Sequence, residues 1–126
     1  MTLFSKERRR RERLKRMANV VFTVQSGKNP GKISSPVDAV ARDFSTFGMS
    51  VVTSKIAPDG IHVMYDTLMT TRNRVDATVF PEGHPPIRVT GKVIWFRGAE
   101  HPEGSYVFGM QFDQPSDAFK EWLFLE

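Results

Sequence analysis

The sequence contains no cysteine and no long apolar run, and both absences narrow what this chain can be. Without cysteine there is no disulfide framework, no thiolate zinc site and no cysteine nucleophile, and the composition fits a reducing compartment. No stretch approaches the roughly 20 apolar residues of a membrane-spanning helix. The basic N-terminus is followed only by the short apolar segment 17–24, so we expect neither a secretory signal nor membrane insertion, and a cytoplasmic location.

Histidine is also scarce, which leaves little for catalysis or metal binding. His62, His84 and His101 lie in unrelated contexts, and no two of them have the spacing of metal ligands. The residue order suggests no Ser-His-Asp triad, and no glycine-rich loop is suited to cradle phosphates. The sequence therefore predicts a binding protein that is not an enzyme and that holds no metal or cofactor.

Positive charge is concentrated at the N-terminus. Residues 1–16 hold eight basic and two acidic side chains, a net charge of +6, and because the whole chain carries +4 the remaining 110 residues carry −2. We therefore divide the chain into a basic arm, residues 1–17, and a mildly acidic body, residues 18–126. Six of the eight basic residues are arginines. Guanidinium groups stack on purines and fork onto phosphate oxygens and the O6/N7 edge of guanine, so the arginines favour planar recognition over plain charge. Taken alone, such a run is more simply a solvated basic tail or a nonspecific nucleic-acid arm, and a guanine-containing ligand needs a second feature in its support.

The body has the pattern of an all-β domain. Alternating or β-branched segments bounded by turn residues predict short strands at 18–25, 37–42, 49–55, 61–65, 74–80, 87–97 and 106–112. A chain of this size with one core favours a closed or nearly closed barrel. After the last strand, Ser116 or Asp117 can cap a short helix whose apolar face packs on the barrel and consists of Phe119, Trp122 and Leu123.

The alternation also assigns strand faces. In 87–97 it places Trp95 on the inner face with Val93, and it places Phe96 on the outer face. Val107 falls on the outer face of the last strand. An exposed apolar patch at Phe96 and Val107 would suit a protein partner.

A compact turn, residues 43–48, separates two predicted strands and reads Asp-Phe-Ser-Thr-Phe-Gly. Asp43 and Ser45 favour an Asx or Ser/Thr turn, Gly48 permits a positive φ or a close backbone approach, and the two phenylalanines indicate a turn packed onto the body. Such a turn can present a carboxylate to the N1–H and N2–H of guanine, and a hydroxyl and backbone donors to phosphate. A structural hairpin turn without a ligand is the alternative.

Four motifs in a fixed order carry a family resemblance. Arg9 and Arg13 form Arg-x-x-x-Arg, and Asp43, Ser45 and Gly48 form Asp-x-Ser-x-x-Gly. Downstream follow a Gly-x-Val-x-Trp segment from Gly91 to Trp95, a Gly-x-x-Phe segment from Gly109 to Phe112, and the predicted C-terminal helix. From about residue 8 to residue 123, the chain resembles the PilZ domain, a bacterial second-messenger receptor for cyclic di-GMP.

This resemblance implies a fold and a ligand site. The fold is a six-stranded antiparallel β-barrel with a short C-terminal α-helix. Cyclic di-GMP is bound between the arm and the barrel, where Arg9 and Arg13 stack on guanine and contact phosphate, and Asp43, Ser45 and Gly48 complete the site. Phe44 stands where the family more often has an aliphatic residue, which alters the packing beneath the turn.

The neighbouring arginines leave the register of the first motif open. Arg11 with Lys15 gives a second register, and the residues able to assist or substitute are Arg8, Arg10 and Arg11. We expect ligand binding to order the arm against the 43–48 turn and so to change contacts with a protein partner. Motility, surface polysaccharide and pilus assembly are the processes compatible with the family.

Two other functions remain open from the sequence. One is a basic-armed β-barrel that binds RNA or DNA, although its mildly acidic body counts against a continuous nucleic-acid groove. The other is an adaptor that binds protein only, through the outer-face residues Phe96 and Val107. Nucleic-acid binding should weaken steeply as the salt concentration rises. A protein-only adaptor should bind its partner equally well with and without a nucleotide.

Overall fold

The computed structural model describes residues 16–124 and shows a closed barrel of six antiparallel strands. Around the barrel the strands follow the order β1-β2-β3-β6-β5-β4, and β4 pairs with β1 to close it. The six-stranded antiparallel β-barrel implied by the family resemblance is therefore confirmed. The strands are β1 Ala18–Gln25, β2 Val37–Arg42, β3 Gly48–Thr53, β4 Arg74–Phe80, β5 Ile87–Gly98 and β6 Tyr106–Phe112.

The barrel interior is filled by one face of each strand. In β1 every second side chain is buried, because the side chains of a strand point alternately to opposite faces. Phe22 of β1 meets Phe108 of β6 across the interior, edge to face, with ring centroids 5.4 Å apart. Closure leaves no unpaired sheet edge, so the core is covered without a second sheet.

A short helix, α1 Asp117–Phe124, follows the barrel as the sequence predicts. Ser116 caps it, because the Phe119 amide donates to Ser116 Oγ at 3.2 Å. The apolar face of α1, with Phe119, Trp122 and Leu123, is buried against the barrel. Within residues 16–124, no helix has the length and apolarity needed to cross a bilayer.

The predicted strand at 61–65 is wrong. Ile61 and Val63 are buried in the core, but they lie in a loop whose only ladder-type contact is an isolated bridge between Tyr65 and Arg72. The chain enters this loop through positive φ angles at Asp59, 54°, and Gly60, 80°, which end the extended backbone. Here a packed loop shows the same alternation of buried and less buried side chains as a strand. The sequence pattern alone therefore did not distinguish the two.

An irregularity in β5 overturns the predicted face of Trp95. Val93 pairs with Met110, whereas Trp95 already pairs with Gly109, so one extra residue interrupts the register. A bulge of this kind reverses the alternation beyond it. Trp95 therefore points outward and is 38% exposed, and its indole ring lies directly over Gly109.

Gly91 of β5 generates a stability prediction. A Cβ at this position would overlap the backbone carbonyl oxygen of Gln111 in β6, and a backbone atom in a closed barrel cannot easily move away. We expect Gly91→Ala to lower the free energy of unfolding by about 1–3 kcal/mol, the usual range for an overpacked interior. Denaturant unfolding measures it. Gly98→Ala is the control, because a Cβ there meets nothing within 4 Å, and equal stability of the two variants would contradict the close approach at Gly91.

Candidate functional site

The antiparallel pairing of β1 with β2 places the start of β1 beside the 43–48 turn. Ala18 at the start of β1 is the partner of Ala41, one residue before the end of β2. Paired Cα atoms lie about 4.5–5.5 Å apart, so the chain enters β1 next to the point where β2 runs into Asp43. The arm positions named from the sequence lie outside the described residues: Arg8, Arg9, Arg10, Arg11 and Arg13.

Arg16 holds the last part of the arm against α1. Its Nη1 donates to the carbonyl oxygen of Trp122 at 2.9 Å, and its Cζ lies 5.4 Å from the centre of the Trp122 ring. The carbonyl groups of the last helical turn lack partners within the helix and attract a cation. The Trp122 ring also meets Phe44 edge-on, at a centroid distance of 4.9 Å. Arg16 therefore brings the base of the arm close to the residue that follows Asp43.

Ser45 shapes the 43–48 turn through its own side chain. Its Oγ accepts hydrogen bonds from the amides of Phe47, at 3.1 Å, and Gly48, at 3.2 Å. The Ser45 amide in turn donates to the Gly48 carbonyl oxygen at 2.9 Å. The expected Ser/Thr turn is present, and the hydroxyl oxygen is engaged by the turn's own backbone.

The sequence predicted either a positive φ or a close backbone approach at Gly48. The structure has the close approach at Gly48 and the positive φ at Asp43. At Gly48 the close approach is real, because a Cβ there would overlap the carbonyl oxygen of Met110 in β6. The positive φ occurs at Asp43, at 53°. Aspartate is among the few non-glycine residues that tolerate this region. The sharp change of direction leaves the Asp43 side chain 62% exposed at the mouth of the turn.

The turn is packed onto the body by one phenylalanine and not by both. Phe44 is fully buried and stacks on Phe119 of α1, with centroids 5.4 Å apart. Phe47 is 65% exposed, so the expectation that its ring packs down is wrong. Its backbone holds the turn instead, because the Phe47 carbonyl oxygen accepts from the Phe112 amide at 2.8 Å. The carbonyl oxygen of Thr46 likewise accepts from the Ser116 amide at 2.8 Å, just before α1.

A row of outward-facing residues extends from the turn across four strands. Arg42 pairs with Ser50, Ser50 with Gly109, and Gly109 with Trp95. The row begins at the residue before Asp43 and ends at an indole ring that is partly open to solvent. Its two large members were missed in the sequence. Arg42 could have been found from its outward position next to Asp43, whereas no sequence pattern announces the bulge that turns Trp95 outward.

Val107 is buried although it lies on the outer face, so the predicted apolar patch is reduced to the exposed Phe96. His62 lies in a loop, where its Nδ1 accepts from the Met64 amide at 3.0 Å and its ring meets Phe96 edge-on at 4.8 Å. Among residues 16–124, no three His, Asp or Glu side chains lie together in a way that could hold a metal ion.

Comparison with known families identifies the fold. The sequence profile described as the PilZ domain matches residues 7–124 of the 126-residue chain. The chain belongs to the PilZ domain family. PilZ domains are binding domains whose ligand is cyclic di-GMP, which supports a general role for this chain as a cyclic di-GMP receptor or adaptor. Neither the curated proteins nor the solved structures compared with this PilZ chain gave a match.

The Ser45 hydroxyl is the basis of a prediction about the turn. Ser45→Ala removes the acceptor of two amides, and we expect faster hydrogen exchange at Phe47 and Gly48 together with a loss of about 1 kcal/mol in unfolding free energy. Amide exchange by NMR and denaturant unfolding measure these effects. Thr46→Ala is the matched control, because only the backbone of Thr46 holds the turn. Unchanged exchange in Ser45→Ala would show that the backbone alone maintains the turn.

Burial lowers the pKa of His62 below its ordinary value of about 6.5. The neutral ring is thus favoured in the folded state, so its contribution to stability is complete above pH 6.5 and is lost as the pH falls through the lowered folded-state pKa. We expect the wild-type chain to lose more unfolding free energy than His62→Gln between pH 7 and pH 5. Parallel pH profiles of the two chains would argue against burial as the cause.

Proposed function

We propose that this protein is a cyclic di-GMP receptor in which the arginine arm closes over the ligand against the 43–48 turn. The observation that carries the proposal is the pairing of Ala18 with Ala41, which brings the base of the arm beside Asp43. Membership of the PilZ family supplies the ligand class. The arm and the turn then form the two sides of one site.

The chemistry of the two sides complements that of the ligand. Cyclic di-GMP carries two phosphate charges and two guanines, and the arm supplies a net charge of +6 within 16 residues. In this proposal Arg9 and Arg13 stack on guanine and fork onto phosphate oxygens, with Arg8, Arg10 and Arg11 as assisting groups.

The turn contributes hydrogen bonding and shape. The exposed Asp43 carboxylate accepts from the N1–H and N2–H of a guanine. Ser45 keeps the turn in its conformation, and the lack of a side chain at Gly48 lets the turn lie close against β6. The outward indole of Trp95 adds an aromatic surface further along the same face of the barrel.

Ligand binding would also act as a switch. The arginines of the arm repel one another, and bound phosphates relieve that repulsion, so the ligand favours the conformation in which the arm lies against the turn. Arg16 and Trp122 connect this region to α1. A protein partner that contacts the arm or α1 would therefore distinguish the liganded from the free receptor.

Calorimetric titration of the full chain with cyclic di-GMP tests the proposal. We expect a Kd well below about 100 μM, which corresponds to about −5.5 kcal/mol. Arg9→Ala, Arg13→Ala and Asp43→Ala should each weaken binding at least tenfold, about 1.4 kcal/mol, because each removes a charged contact. Lys28→Ala is the control, since it removes one exposed charge beyond the far end of β1.

The titration separates the competing functions. No binding at about 100 μM ligand removes the proposal. Loss of affinity in Arg11→Ala and Lys15→Ala, with Arg9→Ala and Arg13→Ala silent, moves the first motif to the second register. Binding of single-stranded RNA that weakens steeply with salt, and that cyclic di-GMP does not displace, would favour the nucleic-acid function.

A further inference from the structure

Arg42, the last residue of β2, has a buried nitrogen without a hydrogen-bond partner. Its Nε lies 3.7 Å from Oδ2 of Asp43, which is an ion-pair distance but too long for a hydrogen bond. Buried donors in folded proteins are almost always paired, so an unpaired one needs an explanation. Arg42 is not required by the barrel itself, because its neighbour Ala41 fills the core and Arg42 points outward.

The position of Arg42 is that of a ligand-binding residue. It ends the strand that leads into the 43–48 turn, and the base of the arm lies next to it through the pairing of Ala18 with Ala41. The Arg42 side chain is 39% exposed and the Asp43 side chain 62%. A guanidinium and a carboxylate thus lie side by side at the mouth of the candidate site, and neither forms a hydrogen bond to the other.

This donor–acceptor pair matches one edge of guanine. The Watson–Crick edge of guanine presents, in order, the O6 acceptor, the N1–H donor and the N2–H donor. A carboxylate can accept from the two donors while the adjacent guanidinium donates to O6. Adenine presents an amino group and an unprotonated N1 along the same edge, so it would set donor against donor and acceptor against acceptor. Unpaired polar groups of this kind in a closed site cause strong rejection.

We propose that Arg42 is a specificity-determining residue that donates to guanine O6 while Asp43 accepts from N1–H and N2–H. The proposal rests on the cyclic di-GMP receptor function proposed above and deepens it. It assigns to Arg42 the discrimination of guanine from adenine, whereas the arginines of the arm supply stacking and phosphate contacts that any purine dinucleotide would use.

The test is calorimetric titration of the full chain with cyclic di-GMP and cyclic di-AMP. Arg42→Met keeps most of the aliphatic stem and removes the donors, and Arg42→Lys keeps the charge without the planar fork. We expect the wild-type chain to prefer cyclic di-GMP at least about 100-fold, as a site with several matched hydrogen bonds does. Arg42→Met should lose at least about tenfold in affinity for cyclic di-GMP, with affinity for cyclic di-AMP unchanged, and Arg42→Lys should lie between.

Two controls make the result specific to O6. Lys28→Met removes the same unit of charge beyond the far end of β1 and should leave both affinities unchanged. Cyclic di-IMP keeps O6 and N1–H but lacks the N2 amino group, so Arg42→Met should weaken it by the same factor as cyclic di-GMP. Because Nε has no hydrogen-bond partner to lose and the Arg42–Asp43 ion pair is exposed, the thermal midpoint of Arg42→Met should change little.

The failures of the two proposals are distinguishable. If the wild-type chain binds neither dinucleotide, the receptor function itself is wrong. If it binds cyclic di-GMP and the Arg42 variants bind equally well, the receptor function stands and the assignment of Arg42 is overturned. Equal losses for cyclic di-GMP and cyclic di-AMP would also overturn it, because they would mean that Arg42 contacts phosphate and not the base. If Arg42→Met does not fold, Arg42→Lys carries the same comparison.

Discussion

The closure of the barrel through β1 is the constraint on which the rest of the structure depends. β1 pairs with β2 on one side and with β4 on the other, so a single strand completes the sheet and fixes where the N-terminal arm meets the barrel. The end of β2, the 43–48 turn and the start of β1 become neighbours as a consequence. The proposed ligand site is therefore a product of the topology, and it needs no insertion or extra domain.

Much of this architecture could be predicted from the sequence because the side chains of a barrel strand alternate strictly between core and surface. The strand at 18–25 and the helix face of Phe119 and Trp122 were recognisable from period two and from i, i+3 spacing. The turn with Asp43 and Ser45 was recognisable as well, because few residue types favour such a tight connection. The role of these turn residues toward a ligand remains a prediction.

Other features could not be predicted, because they depend on contacts between distant segments. Ile61 and Val63 alternate like a strand, yet none of the strands within residues 16–124 pairs with them. Trp95 was assigned to the core because alternation was extended through the β5 irregularity, which exists only in relation to β6. Arg42 is inconspicuous in a sequence with 18 basic residues, and its unpartnered nitrogen is visible only in three dimensions.

Phe44 occupies the first position that the Asp-x-Ser-x-x-Gly motif leaves unspecified, and its burial makes that position dependent on α1. Its ring packs against both Phe119 and Trp122, and Trp122 is also the residue that Arg16 contacts. The size of residue 44 and the aromatic residues of the helix must therefore change together during evolution. A smaller side chain at 44 would leave a void beneath the turn unless position 119 or 122 compensated, so these three positions should covary among relatives more strongly than any of them does with the exposed Asp43.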